Sequence, residues 1–129
     1  MTGVAAGNIT PMSFLVQTTT ADNKYQLASG TSVPIVGISG KGTRYPPYAT
    51  LDDGYIAVAG ENFQIFMPPD REAELQLGGT VAAGDLLTSD GSGFGITTTT
   101  TAQQIGARAL QAGVSGQIIT VYPMFGPYS

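Results

Sequence analysis

The chain has 129 residues, of which 42% are hydrophobic, and this suits one small domain with a modest core. It contains no histidine and no cysteine, so it lacks the side chains that most often act as a neutral-pH base, a zinc ligand or a thiol nucleophile. Only 11% of the residues are charged, and the formal net charge is −4. We therefore expect no enzymatic activity, no bound cofactor and no metal site.

The charge pattern also restricts the partners. Five basic residues are spread along the chain, whereas a phosphate backbone requires concentrated cations, so no binding to nucleic acid is expected. No apolar run approaches the roughly 18 residues that cross a bilayer, so no membrane partner is expected. Residues 1–7 lack the pattern of a secretion signal, which predicts synthesis in a cytoplasm. The low charge predicts surface hidden against partner chains, which favours oligomerisation or a large docking surface.

The N-terminal residues predict an arm and a strand. Residues 1–11 are small or polar and have no periodicity, so they are expected to form an extended arm or to stay disordered until bound. Residues 12–20 are rich in β-formers and predict a first strand. The predicted organisation is an arm with this strand over residues 1–23 and a single all-β domain over residues 24–129. Deleting residues 1–10 is accordingly expected to leave the melting temperature of the isolated domain nearly unchanged.

Further strands follow in chain order. Residues 33–39 predict a strand that Pro34 confines to an edge, and residues 41–50 predict a semi-rigid exposed loop with a Pro-Pro step. A hairpin is expected from residues 55–59 and 63–67. Strict alternation in residues 73–77 places Ala73, Leu75 and Leu77 on a core face, with Glu74 and Gln76 in water. The remaining predicted strands are residues 85–89, 94–98, 105–110 and 117–122.

No helical stripe persists for three turns, and glycine or Asp-Gly steps separate the strands as in a series of tight hairpins. The fold class expected from this pattern is all-β, in a compact barrel of short strands.

Two sequence patterns that resemble ligand sites are better explained by glycine turns. Asp52 and Asp53 precede a glycine and predict a turn rather than a carboxylate pair, and residues 90–93 predict a hairpin turn rather than a calcium or phosphate loop.

An ordered series of turn motifs carries a resemblance to a known family. The series resembles the small capsid decoration proteins of tailed bacteriophages, and residues 85–121 resemble the β-clip core of lambda-type head decoration proteins. Its members are Val36-Gly-Ile-Ser39, Gly40-Lys-Gly-Thr-Arg44, Gly60-Glu-Asn-Phe63, Leu77-Gly-Gly-Thr-Val81, Ala83-Gly-Asp-Leu-Leu-Thr-Ser-Asp-Gly91, Ile105-Gly-Ala-Arg-Ala-Leu-Gln-Ala-Gly113 and Gly116-Gln-Ile-Ile-Thr-Val121.

This resemblance implies a cement protein of the virion, made in the host cytoplasm and located on the outer surface of the capsid. Such a protein forms a homotrimer and bridges subunits of the major capsid protein, which stabilises the shell. The arm and the loop around Tyr45 depart from the family's pattern. They are nevertheless our expected capsid contacts, because an arm can add a strand to a neighbour and Tyr and Arg are frequent interface anchors. The candidate residues are Asn8, Ile9, Met12, Phe14, Val16, Arg44, Tyr45 and Tyr48.

Three alternatives stay open at this point. Both candidate segments are equally consistent with a solvated surface that binds nothing. The Thr and Gly content also suits another virion part, such as a fibre or tail component. A trimeric β-clip enzyme would need convergent polar residues at a subunit junction, for which Asp85, Ser89 and Arg108 are the available set.

Overall fold

Short β-strands make up the regular structure of the chain. A computed structural model describes residues 2–18, 24–30, 35–40, 55–67, 72–99 and 103–127. These residues contain β-strands and no helix, so the predicted all-β class is confirmed and no described helix could cross a membrane. The strands are β1 (Thr2–Ala5), β2 (Phe14–Gln17), β3 (Lys24–Leu27), β4 (Gly37–Ser39), β5 (Asn62–Phe66), β6 (Ala73–Gln76), β7 (Leu86–Ser89), β8 (Gly95–Thr97), β9 (Gln104–Ala109) and β10 (Ile118–Pro127).

The first five strands form a closed barrel in the order β1-β3-β2-β4-β5. β1 pairs with β3 in parallel and with β5 in antiparallel orientation, so the ring has no open edge that could pair with another chain. Apolar side chains of all but one of these strands fill its interior. With Ile9 and Ala57, which lie outside the strands, they form one cluster of buried residues that also contains Ala5, Leu15, Tyr25, Phe63 and Ile65.

The N-terminus belongs to this barrel, and the prediction of an extended arm is wrong for β1. Gly3 is paired with Phe63 on one side, while Val4 is paired with Lys24 on the other. The small residues that predicted an arm have a packing role. A Cβ atom at Gly3 would lie 2.5 Å from Cε2 of Tyr25, so only glycine lets the tyrosine ring pack against this strand.

The last five strands form a second sheet in the order β6-β10-β9-β7-β8. A parallel bridge between Leu77 and Gly95 brings β8 back beside the end of β6. The predicted alternation in β6 is confirmed on its buried side, because Ala73, Leu75 and Leu77 are all in the core. Glu74 and Gln76 are half-buried on the opposite side. The core of this sheet also contains Val81, Leu87, Ala107, Ala109, Ile119 and Val121.

β2 lies between the two sheets and is buried on both faces. Leu15 belongs to the barrel cluster, whereas Phe14 and Val16 belong to the cluster of the second sheet. Because successive side chains of a strand point to opposite faces, this dual burial explains an uninterrupted apolar run. The Phe14 ring packs on Gly106 of β9, where a Cβ atom would lie 2.5 Å from Cε1 of the ring.

The predicted hairpin of residues 55–59 and 63–67 is not present. β5 pairs with β1 and β4 instead, and Ala57 forms an isolated bridge with Ile9. A turn ends the first segment early, because the Val58 N–H donates to Oε1 of Glu61 at 2.9 Å and the Glu61 N–H donates to the Val58 carbonyl at 3.0 Å. Gly60 takes the positive φ of 89° that this turn requires.

The strands predicted in residues 85–122 are all present with shifted ends. β10 is the longest, and it continues through Pro123 as far as Pro127 because the pairing with β9 shifts register between Pro123 and Gly126. Such a β-bulge tolerates a proline, which has no N–H to donate. The strand predicted in residues 33–39 is present as β4, but its predicted edge position is wrong, because β4 pairs with β2 on one side and with β5 on the other. Pro34, the predicted loop of residues 41–50, Asp52 and Asp53 lie outside the described residues.

Asp90 closes the predicted turn between β7 and β8. Its Oδ1 accepts hydrogen bonds from the N–H groups of Ser92 at 2.8 Å and Phe94 at 3.0 Å.

Replacing Asp90 with Ala removes both acceptor contacts, and we expect a loss of about 1–2 kcal/mol in the free energy of unfolding. Urea unfolding of both variants measures this loss, with Asp90→Asn as the control because it keeps an oxygen acceptor. Equal losses in the two variants would contradict this assignment.

Candidate functional site

The predicted contact residues of the N-terminal segment separate into buried and accessible positions. Ile9 and Phe14 have 0% exposed surface and Val16 is also buried, so their side chains are part of the core and are not offered to a partner. This corrects their assignment as surface contacts. Asn8 is exposed and Met12 is partly exposed in the connection between β1 and β2. The predicted contacts Arg44, Tyr45 and Tyr48 lie outside the described residues.

Met12 is held in an unusual backbone conformation. Its φ of 53° is rare for a bulky side chain. Two hydrogen bonds fix it there: the Met12 N–H donates to the Gly40 carbonyl at 3.1 Å, and the Met12 carbonyl accepts from the Gln76 N–H at 2.8 Å. The connection therefore joins β6 of the second sheet to the barrel. It presents Asn8 and Met12 from a backbone that is ordered in advance.

Hydroxyl groups beneath this connection are used for structure. Ser39 Oγ donates to the Thr10 carbonyl at 2.7 Å and accepts from the Ser13 N–H at 3.0 Å. The Thr10 and Ser13 hydroxyls lie 2.7 Å apart. Within the described residues, every buried side-chain oxygen and nitrogen has a partner. These hydroxyls consequently anchor the connection to β4.

The acidic residues of the described part form no metal cluster. No group of three or more Asp and Glu residues suited to a metal ion occurs there. Asp85 acts in a turn, since its Oδ2 accepts from the Ala82 N–H at 2.9 Å and from the Thr97 hydroxyl at 3.1 Å. Ser89 is buried and donates to the Asp90 carbonyl at 2.7 Å. Asp85 and Ser89, two of the three residues available to a hypothetical enzyme, thus have structural partners.

A partly apolar surface on the second sheet is the strongest candidate for an interaction site. We define the β10 face as the side chains of β6, β7, β9 and β10 that point away from the core of this sheet. Ile118 and Tyr122 are 48% and 44% exposed on it, and Leu110 at the end of β9 is 38% exposed. Exposed large apolar side chains grouped on one sheet face are typical of docking surfaces. The residues of the β10 face are Glu74, Gln76, Leu86, Arg108, Ile118, Thr120 and Tyr122.

Arg108 lies within the apolar part of the β10 face. It is paired with Tyr122 of β10 on one side and with Leu86 of β7 on the other. Its side chain is exposed, and it has no hydrogen-bond or ion-pair partner among residues 2–18, 24–30, 35–40, 55–67, 72–99 and 103–127. An arginine beside an exposed tyrosine is a frequent interface anchor, because both side chains combine a large contact area with a polar group.

A groove borders the β10 face where β6 meets the barrel. It has a volume of about 190 Å³ and is lined by Phe66, Glu72, Ala73, Glu74 and Thr120. Glu72 directly precedes Ala73, which is paired with Val121, and it lines the groove together with Thr120, so it lies on the side of β10 opposite to Arg108. The face thus has a cation on one side of β10 and carboxylates on the other.

Sequence reasoning treated residues 117–122 as a strand and missed its exposed face. The available signal was the absence of alternation: Ile118 and Tyr122 share a face with Thr120, while Ile119 and Val121 on the other face are equally apolar. A strand that is apolar on both faces requires cover on both. Among the described residues, the core covers only the face of Ile119 and Val121.

Comparisons with known proteins give a match among solved structures. No protein-family model matches the chain, and no curated protein sequence is detectably similar. Among solved structures, the chain is similar to the N base of the head fiber gp8.5 of bacteriophage phi29, with a TM-score of 0.56 and 20% sequence identity. The match covers 96% of this chain and 92% of that chain, so the two share a fold along nearly their whole length. The likeness to lambda-type head decoration proteins stays a prediction.

Proposed function

We propose that the chain is a structural component of a bacteriophage virion on the outer surface of the head, and that it has no catalytic role. The observation that carries this proposal is the fold it shares, over nearly the whole of both chains, with a head fiber base. Its low charge and the exposed apolar side chains of the β10 face agree with a protein that works by contact with other chains.

The proposed partner is the major capsid protein, bound as by a decoration or cement protein. Asn8 and Met12, together with Arg44, Tyr45 and Tyr48, are the proposed contacts. The first two are presented by the fixed connection between β1 and β2, and a contact ordered in advance loses little conformational entropy on binding. Binding to the assembled shell and not to free subunits stabilises the shell by mass action.

A homotrimer is part of this proposal. When three linked copies bind three capsid subunits, the second and third contacts are intramolecular. The trimer then dissociates slowly from the shell even if each single contact is weak. The low charge of the chain, with 11% charged residues, places few repulsive groups between copies.

A second candidate is the base of a head fibre, which is favoured by the similarity of the chain to a head fiber N base. A fibre base and a cement protein both occupy the head surface, but they differ in mechanical effect. A cement protein raises the stability of the shell, whereas a fibre base needs only to attach.

Cryo-electron microscopy of particles made with and without the chain tests the location. Additional density on the outside of the head is expected only when the chain is present. Density on the tail, or identical particles, would contradict the proposal. Heating the same particles and following the release of DNA separates the two candidates, because a cement protein raises the temperature of release and a fibre base leaves it unchanged.

A further inference from the structure

We infer that the β10 face is a contact between copies of this chain, in which Arg108 of one copy meets Glu72 of the next. This inference deepens the proposed self-association and rests on it. The occupant of the face is a second copy of the chain, because the face carries both halves of a complementary pair: a cation beside exposed apolar side chains, and a carboxylate at the edge of a groove.

The positions of the two charges determine how copies can be arranged. β9 lies on one side of β10 and β6 lies on the other. Neighbouring strands are about 4.8 Å apart, so Arg108 and Glu72, on opposite sides of β10, are separated by about two strand spacings. Within one copy the two groups therefore flank β10, and both are exposed.

A rotation axis parallel to β10, in front of its face, satisfies this pattern. Such an axis brings β9 of one copy against β6 of the next, so each Arg108 approaches Glu72 of its neighbour and the groove that Glu72 lines. An axis across the strands instead stacks β9 on β9 and brings Arg108 close to Arg108. Like charges brought together at an interface oppose binding, so the charge pattern selects the axis along β10.

The same axis covers the exposed apolar side chains. Ile118 and Tyr122 each lie two residues from Thr120 on β10, so their side chains are on the same face of the strand. This face points toward the axis in every copy. Glu72 and Arg108 then lie further from the axis, around this apolar centre. An apolar centre surrounded by polar groups is the usual composition of a protein interface. Repeating the contact around the axis closes a ring, and three copies give the proposed trimer.

Charge reversal tests the pairing. Arg108→Glu and Glu72→Arg are each expected to raise the dissociation constant of the oligomer by at least about tenfold, because each places like charges face to face. The double variant restores an opposite pair, so its dissociation constant is expected within about threefold of the parent value, as coupled positions allow. Sedimentation equilibrium gives these constants, and light scattering after gel filtration gives the molar mass.

Lys24→Glu is the matched control, since Lys24 is exposed on β3 of the barrel and its reversal changes the net charge by the same amount as Arg108→Glu. It is expected to associate like the parent. Thermal unfolding by circular dichroism verifies that every variant folds.

Unchanged association in both single variants, no recovery in the double variant, or a parent chain that stays monomeric at high concentration would overturn the inference. These measurements need no phage particles. A chain that associates as described but leaves phage heads bare would contradict the proposed function alone.

Discussion

Removal of residues 1–10 is expected to open the barrel and to lower the melting temperature strongly, contrary to the expectation for a free arm. β1 closes the ring between β3 and β5, so its loss leaves two strand edges unpaired. The segment also donates backbone hydrogen bonds from Ala5 to Glu61 at 2.8 Å and from Ile9 to Ala57 at 2.9 Å. Differential scanning calorimetry measures the change.

A single substitution tests the same point in a chain that keeps all its strands. Ile9 has 0% exposed surface in the barrel core. Replacing it with Ala is expected to cost about 3 kcal/mol, since a buried isoleucine loses its contacts and leaves a cavity. For a domain of this size that loss lowers the melting temperature by roughly 10 °C.

The neighbouring Asn8 provides the control, because its side chain is exposed and Asn8→Ala is expected to leave the melting temperature within about 2 °C of the parent value. Equal melting temperatures for Ile9→Ala and Asn8→Ala would mean that the segment does not belong to the core.

Phe14→Ala is the second variant with a large expected effect. Phe14 has 0% exposed surface and fills the space between β2 and Gly106 of β9. Truncating a buried phenylalanine costs about 3–5 kcal/mol, so a fall in melting temperature of roughly 15 °C is expected. Phe125→Ala is the matched control, because Phe125 is 37% exposed and a smaller loss is expected there.

The contact between Phe14 and Gly106 can be tested directly by a double variant. Gly106→Ala alone forces the ring to move, since the new Cβ would lie 2.5 Å from Cε1. In the presence of Phe14→Ala that methyl group enters the space left by the ring. The loss in the double variant is therefore expected to be smaller than the sum of the two single losses. Strict additivity in urea unfolding would show that the two residues do not touch.

Several features followed from local patterns in the sequence. Glycine steps and β-forming runs predict the all-β class, and alternation in residues 73–77 predicts the buried side of β6. The turn at Asp90 follows from its own side chain, which bonds to backbone groups two and four residues later. Each of these depends on interactions within a few residues, and such interactions are encoded by neighbouring side chains.

Other features were decided by contacts between distant parts of the chain. Gly3 and Ala5 have the composition of a loose segment, and only the ring of Tyr25 and the open position between β3 and β5 make them a strand. The sequence around Phe14 is equally compatible with an exposed contact and with a core residue. Packing against the second sheet makes Phe14 a core residue.

The β10 face shows the same division between sequence and tertiary structure. A β-strand over residues 117–122 was evident from β-propensity and flanking glycine. That Tyr122 is exposed beside Arg108, with Glu72 on the other side of β10, depends on β9 and β6 pairing with opposite edges of β10. Local sequence determined which segments are strands and where they turn. Only the tertiary structure decided which strands are neighbours and which faces are left uncovered, because strand order is set by non-local pairing.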